Sequence, residues 1–302
     1  AGQFARLDRL AGRSRLLGRL VPGLAAMAAL APRLGKRRPL PSLVPAQGER
    51  RATVGMLLGC VQREFFGPVN SATARVLAAE GCDVVIPPEQ GCCGALSLHS
   101  GRRDEAVAFA RRTIEVFERA GVDTIVVNAA GCGSAMKEYA DVLADDPQWG
   151  PRARALTARV RDFSEFLAEL GPVAERRPLP VSLAYHDACH LSHAQKIRGQ
   201  PRALLEAIPG LELREIADGD TCCGSAGVYN LVQPLAAREL GARKAANVAA
   251  TQANLLVSAN PGCAMQIASA LRAEGRDMAV AHIVEVLDAS IRGADPDELL
   301  AG

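Results

Sequence analysis

The chain has 302 residues, 49% of them hydrophobic, with a formal net charge of +2, which is enough apolar content to bury a sizeable core in about two domains. That excludes global disorder, and nine cysteines in this length are too sparse for a small secreted disulfide scaffold. Residues 1–53 hold eleven Arg or Lys against Asp8 and Glu49, so a basic arm precedes a mildly acidic body. With aromatics at 4% and no recognisable nucleic-acid module, nucleic acid is not an expected partner.

The apolar run from Leu20 to Leu34 contains Pro22 and is shorter than the roughly twenty residues a spanning helix needs. It reads as a helix packed on the surface, on a membrane face or on a partner. No signal-peptide pattern opens the sequence, so the expected location is cytoplasmic, with thiols reduced or metal-bound. Prolines and glycines crowd residues 35–48 in a linker composition, and a boundary near residue 52 follows. The expected organisation is a basic helical arm and linker over 1–52, a first domain over 53–174 and a second over 175–302.

From Thr53 to Cys60 an apolar run suits a buried parallel strand. Asn70–Gly81 reads as a helix with Asn70 or Ser71 as its N-cap, Cys82–Pro88 as a strand, and Gly101–Gly121 as a long amphipathic helix. Asp123–Cys132 is another strand. The second half repeats the order, with strands at Val181–Cys189, Leu211–Ile216 and Asn254–Cys263 and helices at Gln200–Gly210 and Pro234–Thr251. Strand and helix alternation predicts an α/β fold of two pseudo-symmetric lobes produced by internal duplication.

Cysteine spacing makes the repeat quantitative. Cys60, Cys92, Cys93 and Cys132 recur as Cys189, Cys222, Cys223 and Cys263, at offsets of 129, 130, 130 and 131. Each half therefore offers one, two and one thiols from three strand-end loops. Even Val160–Leu167 and Val280–Leu287 align, as VRDFSEFL and VAHIVEVL. The ninth cysteine, Cys82, has Leu211 as its counterpart and reads as an apolar core position.

Three chemistries compete for the eight thiols. Disulfides are disfavoured by compartment, and a vicinal pair is strained. Structural zinc prefers two cysteines spaced along one turn. An iron-sulfur centre takes thiolates from several directions, which matches a four-thiol cup best. Gly94, Gly131, Gly224 and Gly262 beside the ligands would let backbone approach a cluster and donate amides to it. His186, Asp187, His190 and His193 crowd around Cys189, where they either tune one cluster or satisfy strand-end backbone; His186 and Asp187 alternate and cannot both face it. His99 and Tyr229 are weaker candidates of the same kind. No glycine-rich phosphate loop is present, so no nucleotide is expected on this chain.

The stretches GCVQ at Gly59, GCCGALSLHSG at Gly91, NAAGCGSAMKEYA at Asn128, YHDACHLSHAQ at Tyr185, CCGSAGVYNLVQP at Cys222 and NPGCAMQI at Asn260 resemble the cysteine-rich CCG domain family, to which the cysteine-rich component of heterodisulfide reductase is related. Within it they resemble most the iron-sulfur subunit of glycolate oxidase, over residues 54 to about 290. The resemblance implies an electron-transfer subunit of an oxidoreductase, holding one or two 4Fe-4S clusters on the eight cysteines and doing no hydride chemistry itself. It implies a flavoprotein partner that carries FAD and oxidises glycolate, with electrons passing toward quinone at the inner face of the cell membrane. The iron-sulfur subunit of a lactate or glycerol-3-phosphate dehydrogenase is the alternative, followed by a redox-silent docking or assembly protein with structural cysteines. Family members usually begin with a ferredoxin-like module, whereas no cysteine precedes Cys60 here. Ala135 and Gln266 stand where the heterodisulfide reductase version has a fifth cysteine, so non-cubane clusters are not expected.

Overall fold

The computed structural model describes Leu30 and residues 39–301. Apart from Leu30, the expected basic helical arm lies, up to residue 38, outside the described residues. The remainder of the expected linker carries a short edge strand, β1 (Leu43–Val44), antiparallel to β3 (Cys82–Val85) with Leu43 opposite Val85. Pro41 and Pro45 flank it, a composition tolerated at a sheet edge and made cohesive only by a partner some forty residues further on.

Two sheets follow from the two halves. The first has the order β1-β3-β2-β4-β5, with β2 (Ala52–Leu57) central, β4 (Thr124–Val127) beside it and β5 (Val160–Asp162) at the edge. The second has the order β7-β6-β8-β9, formed by β6 (Ser182–His186), β7 (Glu212–Glu215), β8 (Leu255–Ser258) and β9 (Ala279–Ala281). Apart from β1, every pairing is parallel. The central strands are apolar runs buried on both faces, as in Val54, Met56 and Leu57 or Leu255, Leu256 and Val257. In each half the first strand lies between the second and third, so the chain winds outward both ways and leaves a crevice at the carboxyl ends of the first and third strands.

The Arg103–Ala120 helix buries Ala106, Ala110, Thr113, Ile114 and Phe117 along one stripe and stops at Gly121 with φ +62°. The Gly67–Ala79 helix starts three residues before the expected cap, with Pro68 in its first turn. Asn70 lies inside it, buried, where its Nδ2 donates to the Leu58 carbonyl at 3.0 Å and its Oδ1 accepts from Asn128 Nδ2 at 2.8 Å. A polar residue mimicked a cap because its tertiary partners are not visible locally.

The halves embrace reciprocally. The Phe163–Leu170 helix that closes the first half lies on Gly199–Glu206 of the second, and Ile283–Arg292, which closes the second, lies on Gly67–Ala79 of the first. Each closing helix starts with a capping box, Asp162 with Glu165 and His282 with Glu285. One apolar core runs through both halves, joining Leu77 and Phe163 to Leu205 and Leu287. Arg75 grips Asp288 across the junction with two bonds of 2.8 and 2.7 Å.

Candidate metal centre

The eight repeated cysteines gather at the two strand-end crevices. Leu58 and Gly59 lead from β2 into a helix that begins at Cys60, and β4 leads into the Ala130–Lys137 helix with Cys132 in its first turn. In the second half, Cys189 follows β6 and enters a π-turn (His190–Ala194), while Cys263 lies in the first turn of Pro261–Ala273. Strand-end loops were expected to hold all of them; in the structure only the Cys-Cys pairs lie in loops, and Cys60, Cys132 and Cys263 open helices. The difference has a chemical consequence, because the unpaired N–H groups of a helix start favour a thiolate there.

Each Cys-Cys-Gly turns sharply. Gly94 and Gly224 have φ of +83° and +88°, and a Cβ there would stand 3.1 Å from the Ala106 carbonyl oxygen or 2.5 Å from that of Ala237. Only glycine fits, and its amide turns back to the preceding sulfur: Gly94 donates to Cys92 Sγ and Gly224 to Cys222 Sγ, both at 3.3 Å. Gly131 directs its amide elsewhere, to Asn260 Oδ1 at 3.2 Å, and Gly262 packs against Ser225 Oγ.

The thiols touch one another. Cys60 Sγ is 3.4 Å from Cys92 Sγ, and the Cys93 thiol is close enough to those of Cys132 and Cys92 for each to shift its proton affinity. In the second half Cys222 is close enough to Cys189 and Cys223 to shift with them, and the Cys223 and Cys263 thiols lie within 4.8 Å of each other. The Cys92 thiol beside Cys60, followed by burial, pushes Cys60 far up. Cys93 is raised well above the usual thiol value by Cys132 and by burial, although Cys92 pulls it down. In the second cup Cys189 is raised by Cys222 and burial, and Cys222 is lowered in turn by Cys189 and Cys223. Cys263 is held well below the usual value by the Cys223 thiol, against the effect of burial, with His186 and Asn260 acting in the same direction. Crowded thiols resist joint ionisation, and a cation among them reverses that balance.

The flanking residues separate clearly. His186 is fully buried, and one of its ring nitrogens lies with the thiols of Cys223 and Cys263 inside a 4.8 Å group. Asp187, its neighbour, turns the other way and receives Arg202 in two bonds of 3.0 and 2.7 Å. His190 stacks on His99 of the first half, with centroids 4.9 Å apart. Burial, with His190 beside it, lowers the His99 imidazole. His193 is exposed and bonds Arg198 and the Asp220 carbonyl. Tyr229 lies at the surface, 36% exposed.

Several residues at the cups were not among the expected site residues. Gln62 is buried beside Gly59, with both amide atoms unpartnered. Tyr139 donates its hydroxyl to the Cys93 carbonyl at 2.6 Å. Asn260 donates Nδ2 to Cys263 Sγ at 3.3 Å. Lys244 is 1% exposed and donates to the carbonyls of Asp218 and Gly219 at 2.8 and 3.1 Å. Only Lys244 had a readable cue, a lysine on the apolar stripe of its helix. Ala135 is buried, and Gln266 bonds Asn230 and the Ala237 carbonyl, so neither position adds a sulfur donor.

Four converging thiols, amides aimed at two of the sulfurs, and unpartnered buried polar atoms of Gln62 and His186 form a donor set that fits an iron-sulfur centre in each half. Among the described residues, no helix is long and apolar enough to cross a membrane.

Comparison with known proteins agrees with this architecture. The model of the cysteine-rich CCG domain matches residues 54–137 and again 183–268. The chain is 37% identical to the probable glycolate oxidase iron-sulfur subunit of Bacillus subtilis (strain 168), over 94% of this chain and 66% of that protein. It is 35% identical to the glycolate oxidase iron-sulfur subunit of Escherichia coli (strain K12), over 85% of this chain and 61% of that protein. The chain thus spans less than two thirds of the length of these subunits. Lactate utilization protein A of Shouchella clausii (strain KSM-K16) is 32% identical, over 78% of this chain and 98% of that protein. A crystal structure of a hypothetical protein from Helicobacter pylori superimposes with a TM-score of 0.58 at 10% identity, covering 97% of this chain and 57% of that one, a likeness of fold alone.

Proposed function

This chain belongs to the cysteine-rich CCG domain family, and on that footing we propose that it is the iron-sulfur electron-transfer subunit of a glycolate-oxidising complex. The observation that carries the reading is the duplicated cup: four thiols meeting at the strand-end crevice of both halves. Cys60, Cys92, Cys93 and Cys132 would hold one 4Fe-4S centre, and Cys189, Cys222, Cys223 and Cys263 the other. A bound centre supplies one-electron storage and release. Gly94 and Gly224 orient amides at the sulfurs, His186 and Asn260 flank the second cup, and Cys93, Cys223 and Cys263 are buried while the other five thiols are half-buried.

On this reading a flavoprotein partner oxidises glycolate on its FAD, and this subunit passes the electrons on toward quinone at the cytoplasmic face of the membrane. A second reading, the equivalent subunit of a lactate-oxidising system, is favoured by the near-complete length match to lactate utilization protein A.

The test is iron and acid-labile sulfide per chain after anaerobic purification of the native protein, Cys93→Ser and Cys223→Ser. About eight irons, with about half lost in each variant, is the expected result. An iron-free native chain would sink the reading in favour of structural cysteines. Bleaching of the clusters by glycolate or by lactate, in the presence of the flavoprotein, separates the two substrates.

A further inference from the structure

The two cups are copies, yet among the described residues only the second has a buried lysine beside it together with two side-chain nitrogens, of Asn260 and His186, close to its sulfurs. Sheet register makes the comparison residue by residue. Leu57 lies opposite Val127 in the first sheet as His186 lies opposite Ser258 in the second. Ala129 and Asn260 are the N-caps of the helices bearing Cys132 and Cys263. Gly94 packs on Ala106 as Gly224 packs on Ala237, which puts Thr113 in the place of Lys244, both buried. The second cup therefore has His186, Lys244 and Asn260 where the first has Leu57, Thr113 and Ala129.

Each of the three acts on the second cup. Asn260 Nδ2 donates to Cys263 Sγ, and one ring nitrogen of His186 lies within 4.8 Å of the thiols of Cys223 and Cys263. Lys244 holds the Asp218–Gly219 carbonyls just before Cys222, one helical turn after Gly241, whose Cβ position is 3.7 Å from the Cys223 carbonyl. In the first cup, Thr113 is neutral and gives its hydroxyl to the Phe109 carbonyl at 2.9 Å, with the Cys92 carbonyl at 3.4 Å. The cation that holds the carbonyl three residues before Cys92, Arg112 on Glu89 at 3.0 Å, is exposed to water rather than buried. Tyr139 commits its hydroxyl to the Cys93 carbonyl, so among the described residues the first cup has one unpartnered side-chain amide, Gln62, and no buried charge. The amides of Gly94 and Gly224 are matched at 3.3 Å, so they do not separate the cups.

Reduction adds one negative charge to a centre already surrounded by thiolates. Nitrogen donors and a buried ammonium stabilise that charge-rich state, most strongly where water is excluded. We propose that the centre in the second cup is the more easily reduced of the two, so that a single electron delivered to the chain comes to rest there. The inference rests on the reading of both cups as iron-sulfur sites. Transfer between the cups would move one electron from a centre held by the first set of cysteines to one held by the second, with no bond made or broken. The halves also meet here: Gly131 N donates to Asn260 Oδ1 at 3.2 Å and Ala130 N to the Ala259 carbonyl at 3.0 Å.

An anaerobic redox titration with dithionite, followed by electron paramagnetic resonance, tests this on the native chain and on Cys93→Ser, Cys223→Ser, Lys244→Thr and Asn260→Ala. Two midpoint potentials are expected, the higher missing in Cys223→Ser and the lower missing in Cys93→Ser. Lys244→Thr and Asn260→Ala should each lower the higher midpoint, leaving the lower one and the iron content in place. Loss of the higher midpoint in Cys93→Ser, or an unmoved midpoint in both Lys244→Thr and Asn260→Ala, overturns the proposal while the cluster reading stands. If Lys244→Thr does not fold, Asn260→Ala and the two cysteine variants decide it alone. An iron-free native chain overturns both readings together.

Discussion

Glu80 and Arg176 form a buried ion pair at 2.5 Å, with side chains 0% and 8% exposed. Glu80 also accepts from the backbone N–H groups of Val173 and Ala174 at 2.6 and 3.0 Å, so one carboxylate ties the segment between the halves to the end of a first-half helix. Removing it leaves a buried guanidinium and two N–H groups without their acceptor. Glu80→Ala should cost about 3–5 kcal/mol, read as a fall in the urea midpoint, and Glu80→Gln, which keeps an acceptor, should cost less.

Gly224→Ala places a Cβ 2.5 Å from the Ala237 carbonyl oxygen at a φ of +88°. The turn must open, which costs about 1–3 kcal/mol for the backbone alone and turns the Gly224 amide from Cys222. Iron per chain should fall by about half, with the loss confined to the second cup; Gly94→Ala should mirror this in the first. Full iron in both variants would show that the turns tolerate a side chain.

Asp162 and His282 occupy matching caps but titrate in opposite senses. Burial raises Asp162 to about 6 from 3.8 and lowers His282 to about 4 from 6.5. The raised carboxyl binds protons better when folded, so its contribution is full below about 3.8 and is lost as pH rises through about 6. The depressed imidazole binds protons better when unfolded, so its contribution is full above about 6.5 and is lost as pH falls through about 4. Each is worth on the order of 3 kcal/mol. Urea midpoints between pH 4 and 7 should therefore fall more steeply with rising pH in His282→Asn than in the native chain, and less steeply in Asp162→Asn. Parallel profiles for all three proteins would contradict this.

Cys82 is fully buried, and burial pushes its thiol up to about 11. It sits in β3 opposite Ala52, within the shared core. Cys82→Ala should cost about 1 kcal/mol and leave iron content unchanged, unlike a serine at any of the eight repeated positions.

The duplication, the strand and helix order, the eight paired cysteines and the glycine after each Cys-Cys pair were all legible in sequence, though not the left-handed turn that requires that glycine. Periodicity, spacing and backbone sterics act over a few residues, and the repeat wrote each signal twice. Tertiary structure alone decided the rest. Leu43–Val44 became a strand because Val84 and Val85 offered it a ladder, and Asn70 left its expected cap because Asn128 and the Leu58 carbonyl received its side chain. His99 met His190, and Gly131 met Asn260, only when the two halves closed on each other. That Lys244 rather than a neutral residue stands beside the second cup was written in the sequence, but not what it faces. Such contacts join segments far apart along the chain, and no local pattern encodes a partner at that distance.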